Sequence, residues 1–325
     1  MARATSFRGT VTHIEVAALF VAVWSAGIRQ GEVFMHDLEP TIRSRELGDG
    51  LRQAIEQAKL NAEHAAHVLG WSPSKVSRLL SGKRNASEVD VAIILGMCRV
   101  KGEERDRLLA LCQERNTPGW LQQHGSRLPE QLVTLINHED RAVTCSHIQP
   151  MLVPGPLQTS DYARAVISRI ATLPAEEIDD RVAARLARRS LFSRERPGQF
   201  TFYLHESVLR TPVGGPTVMS EQLHHLLQMA VRPYITLRVI PAALGAHAAS
   251  AGPFILLEFA EFRPVVYLEN ETSSLFLEKN EEIAAYRLIL GALAETTLGE
   301  RESRELIATV ATELYADQED PDERA

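Results

Sequence analysis

Cysteine is scarce in this chain, whose 325 residues include only Cys98, Cys112 and Cys145. Three widely separated cysteines are too few for a disulfide framework, and their spacing does not match that of a zinc site. Cys98 and Cys112 stand among apolar residues at helical spacing, so we expect them to be buried free thiols. This usage is typical of a reducing compartment and predicts a cytoplasmic protein.

The sequence also lacks catalytic motifs and long apolar runs. It contains no HExxH, paired CxxC, Walker or GxSxG motif, so we predict no catalytic residue and no cofactor. The adjacent residues His138, Glu139 and Asp140 are predicted on a helix, where they point apart, so we predict no metal site. The apolar run Val16–Ile28 is shorter than the roughly 20 residues that a membrane helix needs, which predicts no membrane association.

The most informative stretch is residues 61–84, which has the pattern of two short helices separated by a break at Gly70–Ser72. Apolar residues recur at helical spacing on both sides of the break. Those expected to face inward are Ala65, Ala66, Val68 and Leu69 in the first helix and Val76, Leu79 and Leu80 in the second. The pattern predicts a helix-turn-helix unit.

The second helix of this unit has a defined start and a polar outer face. Ser72 is a good N-cap and Pro73 suits the first helical position. Hydroxyls and cations on one side of a helix suit entry into the major groove of DNA, where they can contact bases and phosphates. The predicted DNA contacts are Ser72, Ser74, Lys75, Ser77, Arg78, Lys83 and Arg84.

Charge distinguishes this interpretation from an ordinary pair of helices with a solvated face. Residues 41–116 contain 13 Lys and Arg against 10 Asp and Glu, whereas the whole chain has a net charge of −7. Four cations and no acid lie between Ser72 and Arg84. Positive charge concentrated on the presumed groove-facing element favours binding to double-stranded DNA.

The stretch resembles the XRE-type, lambda-repressor-like regulators, whose motif reads S-x-S-x-[VI]-S-[RK] followed by G-[RK]-[RK]. Here the motif is Ser72, Ser74, Val76, Ser77 and Arg78, followed by Gly82-Lys83-Arg84. The resemblance implies a five-helix domain, with flanking helices at residues 44–60, 87–100 and 103–114. Two positions depart from the family: Asn61-Ala62 replaces a frequent Thr-Gln that touches a phosphate, and Leu80 replaces a frequent Glu.

The chain divides into two domains with short connecting segments. We expect residues 1–36 to be a leader, either disordered or preceding the true start codon, although Arg3 and Arg8 before the apolar run also suit a secretory signal. The helix-turn-helix domain should span residues 37–116 and a linker residues 117–129. A C-terminal domain should span residues 130–316, followed by a disordered acidic tail at 317–325.

The C-terminal half changes from helical to strand periodicity. Strands are predicted at 200–205, 235–240, 254–259, 265–269 and 274–278, and helices at 130–147, 161–170, 174–194, 217–231, 281–293 and 300–315. The sequence predicts an α+β multidomain protein. An all-α N-terminal domain precedes an α+β domain with a mostly antiparallel sheet.

Several phrases between residues 132 and 307 resemble the domain of unknown function that follows the helix-turn-helix in WhiJ-like actinobacterial regulators. Among them are LVPGPLQTSDYARAV, RVAARLARRSLFSR and VVYLENETSSLFLEK. The resemblance implies a cytoplasmic transcriptional regulator whose gene often adjoins one for a small companion protein. It implies no ligand or reaction. Pro156 departs from the Leu that is usual there.

Candidate ligand- or partner-binding residues in this half carry polar or charged groups. Gln158, Thr159 and Tyr162 follow a rigid loop that either lines a cleft or only fixes two helices at an angle. Arg181, Arg185 and Arg188 share one helix face that suits an anion, unless they pair with nearby acids, with Glu206 or with Glu269. His247 lies in a small-residue loop suited to a lid, with an ordinary loop histidine as the alternative.

Three functions are compatible with these features. The chain is a DNA-binding regulator, expected as a homodimer, whose C-terminal domain either senses a small-molecule effector or binds a small companion protein. The alternative is an enzyme tethered to DNA by the N-terminal domain. A closed polar pocket favours the first, an exposed apolar patch the second, and a nucleophile with an acid–base pair the third.

Overall fold

The structure is a computed structural model that describes residues 40–83, 86–117, 119–123, 130–170, 174–195, 197–270 and 273–315. The predicted leader, the predicted acidic tail, Arg84 and part of the predicted linker lie outside the described residues. Within these ranges no helix is long and apolar enough to cross a lipid bilayer.

The N-terminal domain is helical. Its helices are α1 (Ile42–Gln57), α2 (Ala62–Leu69), α3 (Pro73–Leu80), α4 (Glu88–Met97) and α5 (Gly102–Glu114). The side chains of Asn61, Ser72 and Ser87 cap α2, α3 and α4 by accepting hydrogen bonds from backbone N–H groups of the first turn. Gly70 ends α2 with a φ of 64°, a left-handed conformation that glycine adopts without strain.

The apolar residues of the two motif helices form the core of this domain with α1, α4 and α5. Leu80, the departure from the XRE pattern, is buried in that core. The prediction for Val68 is wrong, because its side chain is 54% exposed. Ala65, Ala66 and Leu69 define the inward face of α2, and the helical turn places Val68 beyond the edge of that face.

The C-terminal domain contains a seven-stranded mixed sheet. Its strands are β1 (Trp120–Gln123), β2 (Thr144–Gln149), β3 (Gln199–His205), β4 (Ile235–Ile240), β5 (Phe254–Glu258), β6 (Val265–Glu269) and β7 (Ser273–Leu277). Their spatial order is β1-β7-β6-β5-β2-β3-β4. The pairs β2–β3 and β3–β4 are parallel and the other four are antiparallel. The predicted α+β class and mostly antiparallel sheet are confirmed.

Helices cover both faces of the sheet. They are α6 (Glu130–Glu139), α7 (Ser160–Ile167), α8 (Ile178–Ala187), α9 (Glu206–Arg210), α10 (Pro216–Met229), α11 (Asn280–Thr296) and α12 (Glu300–Tyr315). Phe200 and Phe202 of β3 pack in one core, which includes residues of α7, α10 and α12. Tyr203 points to the other face and packs in a second core with residues of α11. This alternation follows from the two-residue period of a strand.

Two strands were not predicted, and one predicted helix is shorter than expected. The helix predicted at 130–147 ends at Glu139, and Thr144–Gln149 is the strand β2, between β5 and β3. Residues 120–123 of the predicted linker form β1. The helix predicted at 174–194 is a 3-10 turn (Ala175–Glu177), α8 and a second 3-10 segment (Arg188–Ser193). In each strand, pairing with residues far along the chain overrides a weak local pattern.

Candidate nucleic-acid interface

Helix α3 presents a polar outer face over an apolar inner face. Val76, Leu79 and Leu80 are buried, whereas Ser74, Ser77 and Arg78 are exposed. The hydroxyl of Ser72 accepts a hydrogen bond from the Lys75 N–H at 3.2 Å. This residue therefore caps the helix in addition to its predicted role beside DNA.

Two cations of this face bond within the helix-turn-helix domain. The Lys75 ammonium lies 2.5 Å from Asp90 Oδ1 and 3.6 Å from the centre of the Trp71 ring. Arg78 Nε donates to the carbonyl of Ser74 at 3.1 Å and keeps its guanidinium at the surface. The Arg78 guanidinium therefore remains exposed, whereas the Lys75 ammonium is held by Asp90 within the domain.

Lys83, a predicted phosphate contact, touches the C-terminal domain. Its ammonium forms an ion pair with Glu261 in the β5–β6 loop. The same ammonium lies 6.0 Å from the centre of the Phe262 ring. No sequence pattern predicts this contact, because its two residues are 178 positions apart.

Next to Lys83, a buried arginine joins the two domains. The guanidinium of Arg45 in α1 packs over the rings of Phe259 and Phe262, 4.8 and 5.0 Å from their centres. Its ion-pair partner Glu278 is 3.6 Å away, and both side chains are almost completely buried. Burial lowers the pKa of Arg45 to about 10 and raises the pKa of Glu278.

Glu278 also binds the backbone of both segments that flank the helical domain. Its carboxylate accepts hydrogen bonds from the N–H of Ile42 at 2.8 Å and from the N–H of Gly119 at 3.2 Å. One buried carboxylate therefore fixes the first and last parts of the N-terminal domain to the end of β7. Sequence reasoning did not identify it, since a single Glu after a strand carries no special pattern.

A second polar contact between the domains reaches helix α3. Asp49 Oδ1 of α1 accepts from Arg141 Nη2 of the C-terminal domain at 2.6 Å and from Arg52 Nη1 at 2.7 Å. Arg52 Nη2 then donates to the carbonyl of Leu80, the last residue of α3, at 2.7 Å. A continuous hydrogen-bonded path therefore joins the C-terminal domain to the end of α3.

The candidate residues of the 153–162 loop bond to the loop itself. Gln158 Nε2 donates to the Val153 carbonyl at 2.7 Å, and the Tyr162 hydroxyl accepts from the Val153 N–H at 3.2 Å. Thr159 caps α7 by accepting from the Tyr162 N–H at 3.3 Å. Gln158 and Tyr162 are buried. This arrangement agrees with the alternative in which the loop fixes two helices at an angle.

The three candidate arginines do not form one open anion-binding site. Arg181 pairs with Glu177 at 3.4 Å. Arg185 Nη1 donates to Gln158 Oε1 at 3.4 Å, and burial lowers its pKa. Arg188 is buried and donates from Nε and Nη2 to the two carboxylate oxygens of Glu139, at 2.9 and 2.5 Å.

The remaining candidates are spread over the surface of the domain. Glu206 begins α9 and accepts from the Ala242 N–H at 3.0 Å, and it pairs with Arg210 and not with the arginines of α8. The His247 ring stacks on His205 at 6.0 Å between ring centres. Glu269 is exposed at the end of β6. Glu269 nevertheless lies within electrostatic range of Arg185 and Arg188, because its negative charge acts to raise the pKa of both. Of the two acids that sequence reasoning offered as partners of these arginines, Glu269 is therefore the one near them.

Three potential metal ligands meet inside the C-terminal domain. Ligand atoms of Glu139, Cys145 and His147 lie within 4.8 Å of one another, and all three residues are buried. Arg188 already occupies both carboxylate oxygens of Glu139, and burial raises the pKa of Cys145 far above its ordinary value. A neutral thiol beside a paired carboxylate is a poor cation site, so the cluster fits a buried ion pair better than a metal centre.

Comparison with known protein families agrees with the two domains. A helix-turn-helix domain model matches residues 46–108, which include α2 and α3. The model described as Domain of unknown function (DUF5753) matches residues 132–309, more than half of the chain. No curated protein matches the chain. The chain is a DNA-binding regulator by its helix-turn-helix domain, and it belongs to the family defined by the DUF5753 domain.

Proposed function

We propose that this chain is a sequence-specific transcriptional regulator of the XRE type, which binds operator DNA with α3 and is controlled through its C-terminal domain. The exposed Ser74, Ser77 and Arg78 on a capped helix support the first part. One helix of eight residues reads only a few base pairs, and a two-fold dimer places two such helices about one DNA turn apart. We therefore expect a cytoplasmic homodimer, controlled by a small effector or by a small companion protein.

The ion pair between Lys83 and Glu261 carries the second part of the proposal. A lysine that binds a phosphate contributes its positive charge to DNA affinity. In the DNA-free chain this charge is paired with a carboxylate of the C-terminal domain. Movement of the β5–β6 loop would therefore change the charge that the helix-turn-helix domain offers to DNA.

The energy of this contact is small because both side chains are well exposed, Lys83 by 43% and Glu261 by 66%. Solvent and salt screen an exposed ion pair, so its contribution to stability is small. We accordingly expect Glu261 to adjust DNA affinity by a few-fold and not to switch it off.

The test uses the full-length chain and an operator selected from random DNA. Arg78→Ala should weaken operator binding by about tenfold or more at fixed salt, since such contacts contribute about 1–3 kcal/mol. Its control is Lys101→Ala, an exposed cation of the same domain outside the motif. Glu261→Gln should strengthen binding by a few-fold, with Glu300→Gln as the control for loss of a surface acid elsewhere in the C-terminal domain.

The Arg78→Ala and Glu261→Gln measurements test the two parts of the proposal independently. Normal operator binding by Arg78→Ala would reject α3 as the recognition helix. If Glu261→Gln and Glu300→Gln have the same affinity, the C-terminal domain does not act through Lys83, and the DNA-binding assignment is unaffected.

We infer that the C-terminal domain binds without chemical turnover. Arg188 and Glu139, a buried pair of opposite charges in this domain, bind each other, so neither is available to a substrate. Incubation of the purified chain with nucleotide cofactors should leave them unchanged, and any conversion that depends on Glu206 or Glu269 would favour an enzyme.

A further inference from the structure

We propose that the cleft between α1, α5 and α6 is an effector site for a small cationic molecule that carries an amine and hydroxyl groups. The proposal rests on the proposed function, because it names the class of ligand through which the C-terminal domain would act on DNA binding.

The cleft lies where the two domains meet. Its volume is about 560 Å³, within the range of small-molecule sites. One wall is the helix-turn-helix domain, with Glu46 and Asp49 of α1 and Arg107 of α5. The opposite wall is the C-terminal domain, with Val133 of α6 and the nearby Arg141. A ligand in the cleft would therefore contact both domains.

The chemistry of the walls favours a polar ligand that donates hydrogen bonds. Four carboxylates and three guanidinium groups line the cleft. The guanidinium groups are engaged: Arg52 and Arg141 bond to Asp49, and Arg107 bonds to Glu104 and Glu46.

The acceptors are not fully used. Glu46 Oε2 and Asp49 Oδ2 are enclosed oxygens that lack a hydrogen bond of normal geometry from any described residue. The Glu46 side chain is only 9% exposed. A buried carboxylate oxygen without a donor is costly, and a protonated amine supplies both the donor and the compensating charge.

The electrostatics of Glu46 support a cation. Burial raises its pKa and the neighbouring Asp49 raises it further, whereas the charge and hydrogen bond of Arg107 and a polar contact with the Thr134 side chain lower it. Two carboxylates one helical turn apart repel each other, and a cation placed between them removes that repulsion. An anion would meet the same two carboxylates and be disfavoured.

Asp49 connects the cleft to the DNA-binding face. Its other oxygen holds both Arg141 and Arg52, and Arg52 holds the carbonyl that ends α3. A cation bound to Asp49 would compete with these two arginines for the same carboxylate. Occupation of the cleft would thereby change the contact between the domains and the support of α3.

The experiment compares three probes of similar size on the full-length chain: protonated D-glucosamine, D-glucose and glucose phosphate. Calorimetry and thermal shift should show glucosamine bound at one site. Glucose, in which a hydroxyl replaces the amine, should bind about tenfold more weakly or not measurably, because it loses a charge-assisted hydrogen bond. Glucose phosphate should not bind.

Two variants test the location. Val133 is 43% exposed on the cleft wall, so Val133→Phe should narrow the cleft and weaken glucosamine binding without disturbing the core. Val143→Phe is the matched control, because Val143 is 44% exposed and does not line the cleft. Glu46→Gln, which keeps the side-chain shape, should weaken glucosamine binding about tenfold and leave glucose unaffected.

Several outcomes would overturn the proposal: no probe binds, glucose or glucose phosphate binds as tightly as glucosamine, or Val133→Phe binds glucosamine like Val143→Phe. None of them touches the assignment of α3, which depends on the operator affinity of Arg78→Ala. A failure of the cleft and a failure of the proposed DNA-binding function are therefore distinguishable.

Discussion

Individual buried residues set how this chain responds to acid. His138 and His147 are buried, and burial lowers the pKa of both below the ordinary value of 6.5. Burial raises the pKa of Glu139, but the guanidinium of Arg188 and the His147 hydrogen bond outweigh this and hold that pKa near 2. All three groups remain in one protonation state over a range where the unfolded chain gains protons.

The direction of the pH dependence follows from these shifts. An unfolded histidine binds a proton as the pH falls below 6.5, whereas His138 and His147 bind theirs only at a lower pH in the folded chain, so folding stability declines below 6.5. Glu139 adds a further decline as the pH falls from 4.5 towards 2. Each histidine contributes up to about 1.4 kcal/mol per pH unit.

Denaturant unfolding between pH 7.5 and 5 measures the slope of stability against pH. We expect His138→Gln to reduce this slope by about one proton equivalent, whatever its effect on absolute stability. His64→Gln, at an exposed position, is the control for the removal of a histidine. Equal slopes in both variants would mean that His138 is protonated in the folded chain.

At the residue scale, the exposed position of a side chain could be predicted from the sequence, but its ion-pair partner could not. The outward position of Arg78 follows from helical spacing alone, since four residues separate it from Ser74. The partners of Lys83, Arg45 and Arg188 lie far away in the sequence, at Glu261, Glu278 and Glu139. A long-range ion pair leaves no periodic pattern in a single sequence. The arginines predicted to share one cationic helix face therefore bind separate partners in the structure.

At the scale of elements, helices with capping residues and strands with clear alternation were predictable. Strands β4 and β6 have the predicted bounds, and α12 also begins and ends as predicted. The sequence TCSHIQ of β2 has few strongly apolar residues, and the strand forms because β3 and β5 pair with both of its edges. Such tertiary stabilisation is invisible to local propensity.

The start of α3 gives a test that separates stability from DNA contact. Ser72 caps the helix, whereas Ser74 is exposed and makes no cap. Ser72→Ala should lower the free energy of unfolding by about 1 kcal/mol because an N-terminal N–H loses its acceptor. Ser74→Ala should leave stability within about 0.5 kcal/mol of the original, as expected for an exposed surface site.

Denaturant unfolding measures both variants, and Ser72→Thr serves as the control because threonine can also cap. We expect the threonine variant to keep most of the stability. Equal stability of Ser72→Ala and Ser74→Ala would show that the Ser72 hydroxyl does not hold the helix start in solution.

At the scale of the whole molecule, two polar contacts join the domains in addition to the Lys83–Glu261 ion pair. One is the Arg45–Glu278 pair with its two phenylalanine rings, and the other is the path from Arg141 through Asp49 to α3. The first is buried and costly to form, because none of the Arg45 guanidinium nitrogens has a hydrogen bond of normal geometry to a described residue. The desolvation penalty of this pair therefore offsets part of the stability that the interface gains from burial.

Removal of Glu278 should uncouple the domains. Glu278→Gln leaves the Arg45 charge buried without an anion and weakens the hydrogen bonds from the N–H groups of Ile42 and Gly119. We expect the free energy of unfolding to fall by about 3–5 kcal/mol. Calorimetry of the full-length chain should then resolve two unfolding transitions, with the helical domain melting first. The double variant Arg45→Met/Glu278→Gln removes the unpaired charge and should recover a large part of the loss. A single transition at the original temperature in Glu278→Gln would mean that the buried pair does not hold the domains together.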